Sequence, residues 1–515
     1  MALVLIGFMG AGKSSAAREL AGSVGATARD SDVLVVQRLG HPIAEEFRRN
    51  GEDSFRAVEE EVVCELLAGA DERTVVSLGG GSVLSGRVRD ALRGHTTVLL
   101  DVDAASCWER VASGRIPGQR PLVKDRESFF ALHAARSDIY ERVADAIIVA
   151  PVRGTLAHAA PSLRKLVGAS APTRMLWARS SSGEYPVFLS SGLVTDGRAL
   201  TLWPLDRETS RTFLVSDQNV EARYGGLLGT HAGRIAIPAG EAHKTVAEAE
   251  HVWRALLSAE LTRADHVVAL GGGVVGDLAG FCAATYQRGI AHVQVPTSLV
   301  AQVDSAYGGK TGVDLPDAKN YVGAFHQPAG VMVDPGTLSS LPPEELAAGW
   351  VEVLKTALIA GGALWESVSS GREVDERMIF ACARTKLQVV AADERDGGLR
   401  QVLNLGHTVG HAIETSTGYG RYRHGEAVGL GLLAALRLSG QDGLREEVLE
   451  LLRARGLPVT LSGAPTDEVL AVISHDKKRL GAEVPFVLVA APGEVRQGCR
   501  VPDGEVRAAV QELAA

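Results

Sequence analysis

Cysteine is scarce. Cys64, Cys107, Cys282, Cys382 and Cys499 are scattered through 515 residues and form no C-x-x-C pair. That argues against a disulfide framework or a cysteine-based zinc site, and it fits a reducing, cytoplasmic setting. Positive charge is in deficit, with 53 Lys and Arg against 62 Asp and Glu and a formal net charge of −9. Nonspecific nucleic-acid binding is therefore not expected, and an anionic substrate must be held by local Lys/Arg clusters against the global field. No apolar run reaches the roughly 18 residues that a membrane span needs. The opening Met1-Ala-Leu-Val-Leu-Ile-Gly7 is apolar but brief, lacks a basic n-region and runs straight into a Gly-rich loop, so it reads as a first β-strand and not a signal peptide. There is no internal repeat and no low-complexity tract.

What is present is an ordinary globular balance, 46% hydrophobic and 22% charged, over a length that suggests about three domains. Many of the 58 glycines sit in short runs after apolar stretches, a placement that suits nucleotide-binding loops. Residues 1–168 alternate apolar runs (3–6, 74–78, 97–100, 146–149) with amphipathic stretches (43–49, 55–67), the βαβ rhythm of a parallel sheet covered by helices. Residues 169–173, Ala-Ser-Ala-Pro-Thr, make a linker. A second α/β rhythm occupies 174–341, with apolar runs at 213–215, 235–237, 267–270 and 293–295. From about Pro342 to residue 515 the pattern turns mainly helical, at 344–359, 374–391, 406–414, 426–437 and 445–455.

Gly7-Phe-Met-Gly10-Ala11-Gly12-Lys13-Ser14 matches G-x-x-x-x-G-K-[ST] in full, after a strand and at the start of a helix that begins with Ser15. Backbone N–H groups of such a loop wrap phosphates, the lysine reaches the β/γ-phosphates and the hydroxyl serves Mg²⁺. Residues farther along the chain narrow the acceptor. Asp30-Ser-Asp32 comes next, then Phe47, Phe55-Arg56 and Glu59, then Ser77-Leu-Gly79-Gly80-Gly81, Arg120-Pro-Leu, Arg136 and Tyr140. This ordered series resembles the shikimate kinase family over nearly all of residues 1–168. The resemblance implies Mg-ATP bound by Gly7, Gly10, Ala11, Gly12, Lys13, Ser14, Ser15, Arg120 and Arg153, with Ser14 and Asp30 serving Mg²⁺ and Arg115 also near the adenine. It implies shikimate held by Asp32, Arg56, Gly79, Gly80, Gly81 and Arg136. Two Arg forks suit a carboxylate, Asp32 would orient or deprotonate the attacking hydroxyl, and Arg120 would belong to a lid. The competing reading is another small-molecule P-loop kinase, which the Arg56/Arg136 pair and the glycine run disfavour.

Gly271-Gly272-Gly273-Val274-Val-Gly276-Asp277 contains G-x-G-x-x-G after a strand, but no acidic residue stands about 20 positions on for a ribose. The residues around it are more specific. They include Gly240-Glu241-Ala-His-Lys244, Arg288-Gly, Pro296-Thr297-Ser298, Asp304-Ser-Ala-Tyr-Gly-Gly-Lys310, Lys319-Asn320 and Gly349-Trp-Val-Glu352-Val-Leu-Lys355. Lys386, Arg400, Asn404-Leu-Gly-His407-Thr-Val-Gly-His411 and His424-Gly-Glu426 complete the set. Glu352, His407 and His424 form a carboxylate-plus-two-imidazole set suited to Zn²⁺ or a similar ion. His407 and His411, four apart on a predicted helix, share a face, so residues alone leave both open as ligands. Lys and Arg are rarely buried unpaired, so the cationic set points to an anionic ligand.

From about residue 173 onward the chain resembles the 3-dehydroquinate synthase family. The fold implied for the whole chain is α/β: a P-loop kinase domain with a parallel sheet, then an α/β nucleotide-binding domain and an α-helical metal-binding domain. The resemblance assigns Zn or Co to Glu352, His407 and His424, and leaves His411 to face the substrate. It assigns NAD to Asp217, Glu241, Lys244, Gly272, Gly273, Val274, Asp277, Thr297, Ser298, Asp304, Lys310 and Lys319. It gives the phosphate and carboxylate of a heptulosonate 7-phosphate to Arg288, Asn320, Lys355, Lys386, Arg400, Asn404 and Lys478, with Lys477 as the alternative to Lys478. Lys310, Lys355, Lys386, Arg400, Asn404 and His411 are thereby catalytic candidates, beside Asp32 and Arg120 in the kinase half. Arg288 implies a homodimer. The implied chemistry is cyclic: hydride to NAD, loss of phosphate, hydride return, then ring opening and aldol closure. The competing readings are a metal-dependent alcohol or glycerol dehydrogenase, which would not need the cationic set, and a fusion whose kinase half is only a scaffold.

Overall fold

The computed structural model describes residues 1–113, 125–316, 318–474 and 484–514, and the backbone alone of 475–480. The chain divides into two compact units, one of residues 1–179 and 184–188, the other of 180–183 and 189–515.

In the first unit, β1 (Leu3–Ile6) is buried along its whole length and pairs in parallel with β3 (Thr74–Ser77) and β4 (Thr96–Asp101). Strands covered on both faces read as continuous apolar runs, which is why 3–6, 74–78, 97–100 and 146–149 were legible. The order is β2 (Thr27–Asp30), β3, β1, β4, β5 (Ala146–Val149), β6 (Arg174–Arg179), β7 (Glu184–Leu189). β6 pairs in parallel with β5, Ala146 opposite Met175, so the sheet continues past the segment 169–173. The helices are α1 (Lys13–Val24), α2 (Ser31–Leu39), α3 (Ile43–Ala68), α4 (Gly86–Leu92), α5 (Ala104–Ala112), α6 (Arg126–Val143) and α7 (Thr155–Val167). The two amphipathic stretches at 43–49 and 55–67 are halves of α3, separated by Gly51 at φ 83°, a value glycine adopts without Cβ strain. Glu19 of α1 accepts the backbone N–H groups of Gly154, Leu156 and Ala157, so a carboxylate caps the N-terminus of α7.

In the second unit the parallel strands are β8 (Thr212–Asp217), β9 (Gly233–Ile237), β10 (His266–Gly271), β11 (Ala291–Pro296) and, later in the chain, β14 (Gly330–Val333), in the order β14-β11-β10-β8-β9. α8 (Gln218–Tyr224), α9 (Val246–Ser258) and α10 (Gly273–Thr285) accompany them, and α9 and α10 pack Val252, Leu256, Leu278 and Cys282 against Val267 and Ala269. An antiparallel hairpin of β12 (Lys310–Leu315) and β13 (Ala318–Phe325) stands apart from this sheet. The helical part is α11 (Pro343–Ala360), α12 (Gly362–Ser369), α13 (Glu376–Ala392), α14 (His407–Ser416), α15 (His424–Leu438), α16 (Asp442–Ala454), α17 (Thr466–Leu480) and α18 (Asp503–Leu513), interrupted by the hairpin β15 (Phe486–Ala491) and β16 (Glu494–Cys499). Among the described residues no helix is long and apolar enough to cross a membrane.

Two buried polar groups hold the second unit together. The Asp334 carboxylate, fully buried, accepts the N–H groups of Gly192, Val194, Thr195 and Gly336. Asp334→Ala strands these donors and should lower the unit's stability by about 3 kcal/mol or more, measured as the shift of its calorimetric transition; an unchanged transition would show that the pocket rehydrates without cost.

His266 accepts from the indole Nε1 of Trp203 at 3.0 Å, and its Nδ1 lies 2.7 Å from Ser210 Oγ. Indole only donates, so His266 Nε2 is unprotonated and Nδ1–H donates to the hydroxyl. Burial, aided by Arg207 and against Asp265, lowers this imidazole to about 4. Between about 6.5 and 4 the unfolded chain binds the extra proton, so this contribution is complete above the unfolded value and is lost as pH falls toward 4. About 3 kcal/mol is at stake. The fall in Tm between pH 7.5 and 4.5 should be smaller in His266→Gln than in the unsubstituted chain.

Candidate active sites

In the first unit the loop from Gly7 to Gly12 joins β1 to α1. Gly7, Gly10 and Gly12 all have positive φ, and a Cβ at Gly10 would stand 2.6 Å from the Cys107 carbonyl. Lys13 Nζ donates to Gly7 O at 2.9 Å and Phe8 O at 3.1 Å, folded back over the loop whose N–H groups open the helix, with Ser14 and Ser15 exposed behind it. Arg110, which sequence reasoning missed, donates to Gly10 O and Ala11 O from α5.

Beside the loop, Asp30 caps α2 by accepting from Asp32 N at 3.0 Å. A Cβ at Gly79 would lie 2.6 Å from Glu59 Oε1 and 2.8 Å from Asp32 Oδ1, and one at Gly81 would overlap the Arg56 guanidinium. The glycine run thus lets Asp32, Glu59 and Arg56 crowd against bare backbone. Arg56 donates to Glu59 Oε2 at 2.5 Å and to Glu52 Oε1 at 3.2 Å, and Glu59 Oε1 accepts from Ser82 Oγ. Arg136 is 6% exposed on α6, one turn before Tyr140, whose hydroxyl donates to Gly80 O. Burial, opposed by Arg136, pushes the Tyr140 hydroxyl up to about 12. Arg153 is exposed in the turn before α7. Arg115 and Arg120 lie outside the described residues.

The second unit gathers its charges in three adjoining sets. Lys244, nearly buried, lies 2.6 Å from Glu241, 3.4 Å from Asp277 and 3.8 Å from Asp314. Burial raises the Asp277 carboxyl to about 6, with Lys244 opposing. Asp277 follows the Gly271–Gly273 turn from β10 into α10. There a Cβ on Gly272 would press on Ser298 Oγ and one on Gly273 on Ser305 Oγ, while Val274 is half-buried and Thr297 buried.

The second set surrounds Asp304. Lys386 Nζ is 2.9 Å from Asp304 Oδ2 and donates to Asp304 O at 2.7 Å. Lys355 Nζ is 4.0 Å from Asp304 Oδ1 and 2.5 Å from Glu352 Oε2. Arg400, 3% exposed, donates to Gly308 O and Glu394 O, and a Cβ at Gly308 would meet its Nη2 at 2.7 Å. Burial opposes charge on Lys355 and Lys386, but only Lys355 is raised, because both Glu352 and Asp304 face it; Lys386 is lowered.

The third set is the imidazole cluster. His407, His411 and His424 bring nitrogens within 4.8 Å of one another. Glu352 Oε1 lies 3.5 Å from His424 Nε2 and 3.8 Å from His407 Nε2. Glu352 is 1% exposed, and neither oxygen has a hydrogen bond of sound geometry, despite the close Lys355. Burial opposes ionisation of Glu352, yet Lys355, His424 and His407 hold its carboxyl well below the usual range. A buried, ionised carboxylate beside convergent imidazole nitrogens fits a divalent cation. His411 is the most exposed of the three imidazoles.

Elsewhere, Lys310 pairs with Asp396 at 2.5 Å, Asn320 has φ 54° and donates its N–H to Asp314, and Lys319 pairs with Glu414. Asn404 and Arg288 are exposed. Asp217 caps α8 through Asn219 N and Val220 N. The side chains of Lys477 and Lys478 lie outside the described residues. Glu414 escaped the sequence reading although His407, His411 and Glu414 keep an i, i+4, i+7 spacing that places them on one helix face.

A P-loop unit, succeeded by an α/β-and-helical unit with a buried carboxylate–imidazole–lysine site, defines a two-part enzyme. Residues 234–348 match the family described as 3-dehydroquinate synthase N-terminal, 349–479 that described as 3-dehydroquinate synthase C-terminal, and 9–157 that described as shikimate kinase. The chain is 44% identical over 333 residues to the 3-dehydroquinate synthase of Symbiobacterium thermophilum, covering 60% of this chain and 92% of the relative. It is 42% identical over 338 residues to that of Halorhodospira halophila, covering 62% and 94%. The chain belongs to the 3-dehydroquinate synthase family and carries a shikimate kinase segment ahead of it. In fold it is similar to a 2-deoxy-scyllo-inosose synthase complexed with carbaglucose-6-phosphate, NAD⁺ and Co²⁺ (TM-score 0.58, 22% identity, 66% of this chain and 99% of the other). It is likewise similar to the 2-epi-5-epi-valiolone synthase of Streptomyces hygroscopicus subsp. jinggangensis, with NAD⁺ and Zn²⁺ bound (0.58, 24%, 64% and 96%).

Proposed function

We propose that this chain carries two active enzymes, a shikimate kinase in residues 1–168 and a 3-dehydroquinate synthase in 174–515, divided near 341 into nucleotide-binding and helical parts. The observation that carries the second assignment is the convergence of Lys355, Lys386 and Arg400, all nearly buried, beside Glu352, His407 and His424. A polyol dehydrogenase needs the latter set but has no use for the former.

In the kinase half, Lys13 swings from the loop carbonyls to the β/γ-phosphates of Mg-ATP, with Ser14 and Asp30 serving the ion. Arg56 and Arg136 take the shikimate carboxylate, and Asp32 orients the attacking hydroxyl and receives its proton. The bare Gly79–Gly81 backbone admits the ring.

In the synthase half, Glu352, His407 and His424 would hold a Zn²⁺ or Co²⁺ ion, and the Gly271–Gly273 turn with Glu241, Lys244, Asp277 and Thr297 would hold NAD. When bound, these supply Lewis acidity and a reversible hydride acceptor. Lys355, Lys386, Arg400, Asn320 and Asn404 bind the substrate's phosphate and carboxylate. The substrate exchanges for Asp304 and Glu352 as the lysines' counter-charge, so the cations are oriented before it arrives. His411 faces the substrate as a hydrogen-bonding or proton-transfer group. The chain is proposed to act in the cytoplasm as a homodimer, in which Arg288 reaches the neighbouring subunit.

The assay is phosphate release from 3-deoxy-D-arabino-heptulosonate 7-phosphate with NAD⁺, before and after metal stripping. Release that requires both NAD⁺ and the ion, with no net NADH, is expected. Stable NAD⁺ reduction by a simple polyol, without phosphate release, would make this half a dehydrogenase.

A further inference from the structure

Glu414 is a charged residue with 3% exposure near the C-terminal end of α14, and neither proposed reaction uses it. Its two oxygens are divided between two partners. Oε2 lies 3.2 Å from His424 Nδ1, the imidazole nitrogen opposite the one that faces Glu352. Oε1 accepts from Lys319 Nζ at 3.1 Å. Lys319 stands on β13, and its ammonium also lies 4.5 Å from the Tyr419 ring centre, so it is clamped between a carboxylate and an aromatic face. Tyr419 is fixed by its N–H to Glu414 O and by Thr415 Oγ1 at its hydroxyl.

In the neutral ring that binds a metal, a carboxylate acceptor at Nδ1 keeps the proton on that nitrogen and leaves Nε2, the nitrogen that faces Glu352, as the one open to an ion. We infer that Glu414 is a positioning residue that sets the tautomer and ring orientation of His424 for the metal and, through its second oxygen, holds Lys319 and the β12–β13 hairpin in register with that site. The inference rests on the proposed metal site, and it adds that the metal ligand and one cofactor-side cation share a single buried anchor.

The test is Zn²⁺ affinity of the full chain, by competition with a chromophoric chelator, for the unsubstituted protein, Glu414→Gln and Glu414→Ala. Glutamine keeps the size and one acceptor oxygen but not the charge. We expect Zn²⁺ binding weaker by roughly 10–100-fold in Glu414→Gln, weaker still in Glu414→Ala, and a displaced visible band in the Co²⁺ form, with an unchanged Tm of the metal-free protein. Affinity within about two-fold of the unsubstituted chain at unchanged Tm would overturn the inference while leaving the metal site intact. No Zn²⁺ binding by the unsubstituted chain would overturn the metal site itself, and this inference with it. Should the variants fail to fold, ¹⁵N-histidine spectra of the unsubstituted Zn²⁺ form decide: Nδ1 protonated and Nε2 metal-bound at His424 is expected, and the reverse tautomer contradicts it.

Discussion

Lys13→Met should reduce shikimate phosphorylation by about 10²–10³-fold or more, while phosphate release from the heptulosonate phosphate stays within about two-fold of the unsubstituted enzyme. Lys13 is the loop's own ammonium, and in the free protein it rests on the carbonyls of Gly7 and Phe8. Those two bonds are weak competitors for a triphosphate, and they keep the side chain beside its target. Methionine keeps the aliphatic stem and should fold normally. Every group assigned to phosphate release lies in the second unit, which has its own core of Val267, Ala269, Leu278 and their neighbours. The check is ADP formation and phosphate release on the same sample. Undiminished phosphorylation would remove the P-loop from the mechanism. Loss of both activities would show that the two sites depend on one another.

The reciprocal substitution, Glu352→Gln, should abolish phosphate release, by about 10³-fold or more, and leave phosphorylation within about two-fold. Its effect has two parts. Glutamine is a poor ligand for a divalent ion, so metal affinity falls. It also leaves Lys355, whose side chain is 3% exposed, without its nearest counter-charge, and breaking a buried pair typically costs about 3–5 kcal/mol. Metal content and the calorimetric transition of the second unit separate these contributions. The second residue of the pair gives a control: Lys355→Met should also lower the rate, but with metal retained. If Glu352→Gln binds the ion as tightly as the unsubstituted chain, Glu352 is not a ligand, and the set becomes the three imidazoles of His407, His411 and His424.

The buried parallel strands were plain in the sequence, because both faces of β1 or β10 are covered and so residues 3–6 and 267–270 are uniformly apolar. Where that covering is partial the signal faded. β2 alternates exposed and half-buried residues in Thr-Ala-Arg-Asp, and β13 has no fully buried residue in Ala-Lys-Asn-Tyr-Val-Gly-Ala-Phe, so neither stood out as a strand. β6 escaped notice because the small, polar, Pro-containing stretch before it looks like a break, although its apolar residues 175–178 join the first sheet.

The same logic governs the sites. Glycine loops, the lysine of the P-loop and the His407/His411 spacing are local and were readable. Asp334, Arg110 and Glu394 act on partners far along the chain, such as Gly192, Gly10 and Ser182. A single charged residue of this kind carries no local pattern to mark that it has such a partner. The pairing of Lys386 with Asp304, 82 residues away, belongs to this second kind: the family resemblance named both residues, for different ligands, but not their contact.

The central claim, two complete and independent catalytic centres in one chain, is tested most directly on one homogeneous preparation. A single gel-filtration peak would be assayed for NAD⁺- and metal-dependent phosphate release, and for shikimate-dependent ADP formation with Mg-ATP. Both activities are expected to co-elute at a constant ratio, and only the first should be lost on stripping the metal and assaying again with Mg²⁺ alone. Phosphate release without phosphorylation would reduce the N-terminal unit to a scaffold. Phosphorylation without phosphate release would contradict the synthase assignment on which the rest depends.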